Sequence, residues 1–250
     1  MPDPASRRRF EGRTAVITGG YSGIGAATAA CLAAEGAEVW VLDVAAPRVA
    51  IEDRQIAVDV GDFAAVSAAA TAILERTGRI DVLVTCAAIV RSGTAYDQDA
   101  ADWRDVLRIN LDGAFNAMRA MLPAMIARRS GAVVHVASDA GLIGQRDQIA
   151  YATSKGGVVE MTRSAALDAA PFGVRVNAVC PCFVDTPMMR RWIDAQPDPG
   201  AALAEAAAEQ LLGRIGRPAE IAAAIAFLAS DDAAFITGVN LPVDGGSTAG

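Results

Sequence analysis

A three-layer α/β sandwich around a mostly parallel, seven-stranded central sheet is the fold class predicted here, on three observations. Short apolar runs rich in Val and Ile alternate with longer runs of good helix formers. Glycines, prolines and acidic residues fall at the joints between those runs. No second zone of composition appears, so residues 1–250 read as one domain.

Residues 14–18 form the first apolar strand. Gly19, Gly20, Tyr21, Ser22, Gly23, Ile24 and Gly25 follow at once, and an alanine-rich helix runs over 26–34 until Gly36 stops it. A glycine turn between a strand and a helix lets backbone N–H groups approach a phosphate, and the helix N-terminus adds unpaired donors. A plain tight turn is the alternative. The second strand, 38–43, ends in Asp43. A carboxylate there accepts bonds from both hydroxyls of an adenosine ribose and repels a 2′-phosphate. No Lys or Arg stands between Gly19 and Gly23, and Val44 follows Asp43, so the pattern favours NAD over NADP. Arg48 comes after Pro47 and has no assigned place.

The third strand, 55–60, carries Asp59 and Val60 at its end. Asp59 either meets an adenine amino group or caps the helix over 63–77, before which Asp62 also stands. The fourth strand, 80–84, runs into Thr85, Cys86, Ala87 and Ala88, small residues that permit close approach of a cofactor at Ala87. Residues 95–101 read as a loop. A long helix begins near Asp102, with Trp103, Val106, Leu107, Ile109, Leu111, Phe115, Met118 and Leu122 at helical spacing. Asn110 interrupts that face. Asn is a poor helix-interior residue, so its side chain is expected to bond a backbone carbonyl or an ordered water near Lys155. Pro123 either bends this helix or marks its last part.

The fifth strand, 133–136, leads to Ser138, and a polar loop spans 139–148. Tyr151 and Lys155 then stand four residues apart, on one face of a helix that ends before Pro171. Serine at a strand end facing tyrosine and lysine on a helix is a proton-transfer arrangement; a surface pair on an amphipathic helix is the alternative. The sixth strand, 174–179, runs into Cys180, Pro181, Cys182, Phe183, Val184, Asp185 and Thr186. Residues 188–212 read as short surface helices, the candidate for a substrate lid. Pro218 starts a helix, and 238–243 is the last strand. Ligands of such a sheet sit beyond the strand C-termini. The glycine turn, Asp43, Asp59, Ala87, Ser138 and the segment from Pro181 to Thr186 all follow strand ends and therefore share one edge.

The net charge of −7 argues against a nucleic-acid groove or an anionic membrane surface. The run Arg7, Arg8, Arg9 precedes no apolar h-region, and no apolar stretch reaches transmembrane length, so a cytoplasmic location is expected. Cys31, Cys86, Cys180 and Cys182 lack zinc-site spacing and read as reduced thiols; no metal is expected. His135, the one histidine, reads as structural.

Taken together, these residues resemble the short-chain dehydrogenase/reductase family of the classical type, over essentially the whole chain. Thr18, Gly19, Gly23, Ile24 and Gly25 resemble its cofactor motif. Asn110, Ser138, Tyr151 and Lys155 match its catalytic four, and Asn177, Pro181 and Thr186 match its motif after the sixth strand. Two places depart from the family pattern. Thr85-Cys86-Ala87-Ala88 stands where Asn-Asn-Ala-Gly is usual, and Cys182 follows Pro181 where glycine is usual. The resemblance implies a Rossmann-type, NAD(P)-linked enzyme, commonly a homotetramer and otherwise a homodimer.

The expected reaction is interconversion of a secondary alcohol and a ketone. Tyr151 is the base, favoured as phenolate by the Lys155 ammonium. Lys155 also holds the nicotinamide ribose, Ser138 orients the substrate oxygen, and Asn110 holds a water leading from Lys155. Pro181, Val184 and Thr186 pin the nicotinamide carboxamide. The substrate pocket draws on Leu142, Ile143, Phe183, Met188, Met189 and Trp192, with Gln145, Arg146, Asp147, Gln148, Arg190 and Arg191 as polar choices. Any of the three arginines there could take a carboxylate. An NADPH-dependent carbonyl or 3-oxoacyl thioester reductase is the alternative enzyme, and a noncatalytic NAD-binding regulator is the alternative outside catalysis.

Overall fold

Seven strands hydrogen-bond in the order β3-β2-β1-β4-β5-β6-β7, and every pair is parallel. The computed structural model describes residues 8–45 and 54–249; Arg7 and Arg48 lie outside them. The strands are β1 (Thr14–Thr18), β2 (Glu38–Asp43), β3 (Gln55–Ala57), β4 (Val82–Thr85), β5 (Gly131–Val136), β6 (Val174–Pro181) and β7 (Asn240–Val243). The helices are α1 (Gly23–Ala34), α2 (Phe63–Thr77), α3 (Ala100–Leu107), α4 (Gly113–Arg128), α5 (Ile149–Ala169), α6 (Pro187–Asp194), α7 (Pro199–Ala208) and α8 (Pro218–Ala229).

Alternation along the strands builds two cores. Val16, Leu83 and Val133 face one side, where Val66 and Ile73 of α2 and Met118, Met121 and Met125 of α4 cover them. Ala15, Ile17, Val82, Val84, Val134 and Val136 face the other, against Leu32 of α1 and Ile221 and Ile225 of α8. A strand buried on both faces must be apolar at every position, as β4 is through Val82, Leu83 and Val84. Each such side chain contributes on the order of 2 kcal/mol by leaving water.

Several boundaries differ from the sequence expectation. β3 stops at Ala57, so Val58, Asp59 and Val60 form the loop into α2 instead of ending a strand. Asp62 caps α2, its carboxylate accepting the N–H groups of Ala64 at 2.9 Å and Ala65 at 3.2 Å. β4 begins at Val82 and β7 at Asn240, two residues later than expected in each case. The long helix starts at Ala100 and is broken into α3 and α4 by a π-helical turn, Arg108–Asp112. Pro123 lies inside α4, which continues to Arg128. No helix among the described residues is long and apolar enough to cross a membrane.

Strand order reverses between β1 and β4, whose C-terminal ends open the crevice that this topology reserves for ligands.

Candidate active site

The crevice is a cavity of about 370 Å³. It is lined by residues from the ends of β1, β2, β4, β5 and β6 and from α5 and α6. At its β1 end the turn is set by backbone. Gly19 and Gly23 have positive φ, +68° and +52°. A Cβ on Gly19 would lie 2.7 Å from the Ala87 backbone, and one on Gly25 would lie 2.1 Å from the Gly19 carbonyl oxygen. Only glycine fits either place. Thr18 ties the turn to the β4 exit, its Oγ1 accepting from Cys86 N–H at 3.1 Å and Ala87 N–H at 3.3 Å. Gly19, Ser22, Gly23, Ile24 and Ala87 form wall; Tyr21 and Gly25 do not. The Tyr21 hydroxyl instead donates to Gln55.

Asp43 stands at the same end. Its carboxylate accepts the N–H groups of Tyr21 at 3.1 Å and Ala45 at 2.9 Å, which leaves part of its acceptor capacity toward the cavity. Asp59 and Val60 also line the wall. Asp59 is neither a helix cap nor free: it accepts from Gly61 N–H and from the Arg108 guanidinium, both at 2.8 Å. Burial opposes its charge, but these two donors outweigh that and hold the carboxyl below its ordinary range.

Ser138, Tyr151 and Lys155 come together in the cavity wall. Gly141 allows this, because a Cβ there would strike the Lys155 backbone at 2.7 Å and hold the β5 exit away from α5. Lys155 is buried and donates from Nζ to the Val136 carbonyl at 2.7 Å, with Nζ 5.7 Å from the Tyr151 ring centre. Burial pulls the Lys155 ammonium down to about 8 and pushes the Tyr151 phenol up to about 12; the hydrogen bond between Tyr151 and Ser138 works against the latter. The protein's own surroundings therefore leave the tyrosine protonated at neutral pH.

Asn110 is 2% exposed and sits in the π-helical turn, outside the cavity wall. The expected carbonyl partner exists, but it is Ile89: Nδ2 donates to Ile89 O at 2.9 Å and to Ser154 Oγ at 3.1 Å, while Oδ1 accepts from Ile89 N–H at 2.8 Å. Asn110 thus clamps the β4 exit to α5 one residue from Lys155.

Pro181, Val184 and Thr186 line the far wall. Thr186 also caps α6, its Oγ1 accepting Met189 N–H at 3.2 Å. Phe183, Met188, Met189 and Trp192 complete the apolar wall, the Phe183 and Trp192 rings stacked 5.8 Å apart. Leu142 and Ile143 do not reach it; Leu142 packs into a small core with Ala137 and Cys180, and Ile143 is exposed. Of the polar choices, Gln145, Gln148 and Arg191 line the cavity, whereas Arg146 and Asp147 are exposed outside it. Arg190 is held by Asp185 at 2.6 Å. Cys182 lines the wall, and its thiol is pushed up to about 12 by burial and then by the charge of Asp139. Asp139, which the sequence places in a polar loop, also lines this wall. Its signal was position, an acid directly after Ser138.

Comparison with known proteins decides the family. A model described as Enoyl-(Acyl carrier protein) reductase matches residues 19–248. The chain belongs to the short-chain dehydrogenase/reductase family. Within this family it is 43% identical to cis-4-hydroxycyclohexanecarboxylate dehydrogenase of Sinomonas cyclohexanicum, over 96% of this chain and 98% of that one. It is 38% identical to meso-2,3-butanediol dehydrogenase of Serratia marcescens, with 96% of each chain covered. The ligand-free aldohexose dehydrogenase of Thermoplasma acidophilum superposes with a TM-score of 0.91 at 35% identity, covering 98% of this chain and 97% of that one. An oxidoreductase of the short-chain type, on a Rossmann fold, is thereby established.

Proposed function

We propose that the protein is an NAD-dependent oxidoreductase that interconverts a secondary alcohol and a ketone. The observation that carries this reading is that Ser138, Tyr151 and Lys155 share one cavity with the glycine turn and Asp43. The names of two relatives support it, since 4-hydroxycyclohexanecarboxylate and 2,3-butanediol are both secondary alcohols.

The residues fit a dinucleotide. The glycine turn leaves no side chain between backbone N–H groups and a pyrophosphate, and α1 begins there. Asp43 has acceptor capacity for ribose hydroxyls. Asp59 and Val60 would flank the adenine, Ala87 would lie against the cofactor, and Lys155 would hold the nicotinamide ribose. Pro181, Val184 and Thr186 would face the carboxamide. Bound there, NAD supplies the hydride acceptor.

The chain's own work is proton handling and orientation. Ser138 donates a hydrogen bond to the substrate oxygen. Tyr151 takes the hydroxyl proton at Oη. Because burial holds its phenol near 12 with Lys155 already in place, the base form depends on further positive charge close by, which the nicotinamide ring of bound NAD would add to that of the Lys155 ammonium. Asn110 is a positioning residue that fixes α5 against the β4 exit. Helices α6 and α7 form a small core of their own around Met189, Ile193 and Ala206, and we read them as the lid. Exposed Phe115 on α4 and Leu167 on α5 fit contact between copies in a homotetramer, and four free thiols fit the cytosol.

The test is cofactor reduction followed at 340 nm with secondary alcohols, sugars, cyclic diols and hydroxy acids, with NAD and with NADP. Turnover with NAD on one class is expected. Faster turnover of 3-oxoacyl thioesters with NADPH would replace this reading with the reductase alternative, and sedimentation checks the tetramer.

A further inference from the structure

Asp139 follows Ser138 in the cavity wall and has no part in the reaction just described. It is 5% exposed. Its Oδ1 accepts the Ser138 hydroxyl and the Ala140 N–H, each at 2.8 Å. Its Oδ2 has the Gln145 amide at a long 3.4 Å, and the Cys182 thiol is a further, weak donor to the carboxylate. Among the described residues these hydrogen-bond partners are all neutral groups, and the adjacent Cys182 thiol is held neutral as well. A buried carboxylate met only by neutral donors has a strong need for each of them.

That need conflicts with the role of Ser138. A serine hydroxyl has one proton to donate. While Asp139 holds it, none is left for the oxygen of the substrate. When Ser138 turns to the substrate, Asp139 loses one of its two short oxygen- or nitrogen-borne donors, and only a long amide contact from Gln145 and a weak thiol donor from Cys182 are left among the described residues to compensate. A second hydroxyl on the carbon beside the reacting one resolves the conflict, since it can donate to Asp139 while Ser138 serves the reacting oxygen.

We propose that Asp139 selects vicinal diols, its carboxylate accepting a hydrogen bond from the hydroxyl next to the one being oxidised. In the opposite direction the substrate is the matching α-hydroxy ketone. The same charge disfavours a carboxylate on that neighbouring carbon, and so disfavours α-hydroxy acids. The inference rests on the dehydrogenase reading above and adds the substrate class to it.

The experiment compares kcat/KM with NAD for matched pairs: 2-butanol against meso-2,3-butanediol, and cyclohexanol against cis- and trans-1,2-cyclohexanediol. For at least one pair the diol is expected to win by about tenfold or more, the scale of one hydrogen bond to a charged group. 3-Methoxy-2-butanol, which keeps the second oxygen without its proton, should behave like 2-butanol. In Asp139→Ala and Asp139→Asn the diol-to-alcohol ratio should fall to within roughly threefold of unity. The methoxy comparison uses the unaltered protein, so it stands even where a variant fails to fold. Simple alcohols, the ether or hydroxy acids matching the diols would overturn the proposal and leave the dehydrogenase reading intact. A diol preference that survives in both variants would also overturn it. Silence with every substrate and both cofactors would overturn the two together.

Discussion

The two ends of the cavity are built by different means. At the β1 end, backbone does the shaping: Gly19, Gly23 and Gly25 are fixed by φ and by contacts that no Cβ could survive. At the β5 end, side chains do it. Ser138 holds Asp139, Lys155 holds the Val136 carbonyl, and Asn110 reaches the Ser154 hydroxyl across 44 residues of chain. The first end accepts one residue type at each critical point. The second, apart from Gly141, is set by the chemistry of its side chains, so each end should fail in its own way.

The largest effect is expected at Tyr151. Tyr151→Phe removes the Oη proposed to take the proton and little else. kcat should fall by roughly 10³-fold or more, while cofactor titration by fluorescence changes less than about threefold. Turnover near the original rate would remove Tyr151 from the base role. Gly25→Ala should do the reverse. Its methyl would lie 2.1 Å from the Gly19 carbonyl oxygen, so the turn must open. Cofactor affinity should weaken by about 10²-fold or more, with a lowered melting temperature. A Gly25→Ala protein that binds cofactor normally would show that the turn yields more than its contacts suggest.

This difference also explains what could be read from the chain alone. The glycine turn, Asp43 and the strand sequence were legible because local backbone demands and period-two burial leave marks at short range. Tyr151 and Lys155 were legible through their i,i+4 spacing. The pairing of Asn110 with Ile89, and of Asp59 with Arg108, was not, because both bridge segments whose approach only the tertiary fold decides. Thr186 showed its place after β6 but not its second task as the cap of α6. Leu142 and Ile143 were misplaced because apolar character says that a residue is buried, not against what. Asp139 carried a signal that composition hid, since an acid in a polar loop looks solvated until the loop is seen folded inward.

His135 probes the side-chain end without touching its chemistry. It is fully buried in β5, shares a 2.7 Å hydrogen bond through Nδ1 with Thr85, and its Nε2 has no partner among the described residues. Burial, and then the charge of Lys155, lower its pKa from 6.5 to about 4. The unfolded chain therefore binds a proton near pH 6.5 that the folded chain refuses until about 4. The stability from a neutral His135 is full above pH 6.5 and is lost as pH falls toward 4, at about 1.4 kcal/mol per pH unit. Carboxylates titrate in the same range, so the measurement is a difference. Urea unfolding of the protein and of His135→Asn, from pH 7 to 4, should give curves that converge by on the order of 2–3 kcal/mol. Parallel curves would mean that the imidazole is not held neutral.

The smallest effect sharpens the backbone end, where Asp43 is the side chain proposed to discriminate between NAD and NADP. Its two backbone donors, Tyr21 N–H to Oδ2 and Ala45 N–H to Oδ1, fix the direction of the carboxylate. Asp43→Asn keeps the volume and one of these two acceptors, so the variant removes the charge together with one backbone hydrogen bond. Asp43 is half-exposed, and repulsion between charges near the surface is worth only about 1 kcal/mol at 4 Å in high dielectric. The preference for NAD over NADP in kcat/KM should therefore shrink by roughly tenfold, and not vanish. Salt provides an independent check. A screening length of about 3 Å at 1 M ionic strength should erase much of the discrimination in the unaltered protein and little of what remains in Asp43→Asn. If both proteins show the same ratio at low and at high salt, the selection comes from the shape of the β2 exit and not from the carboxylate. The backbone end would then be shaped by backbone throughout.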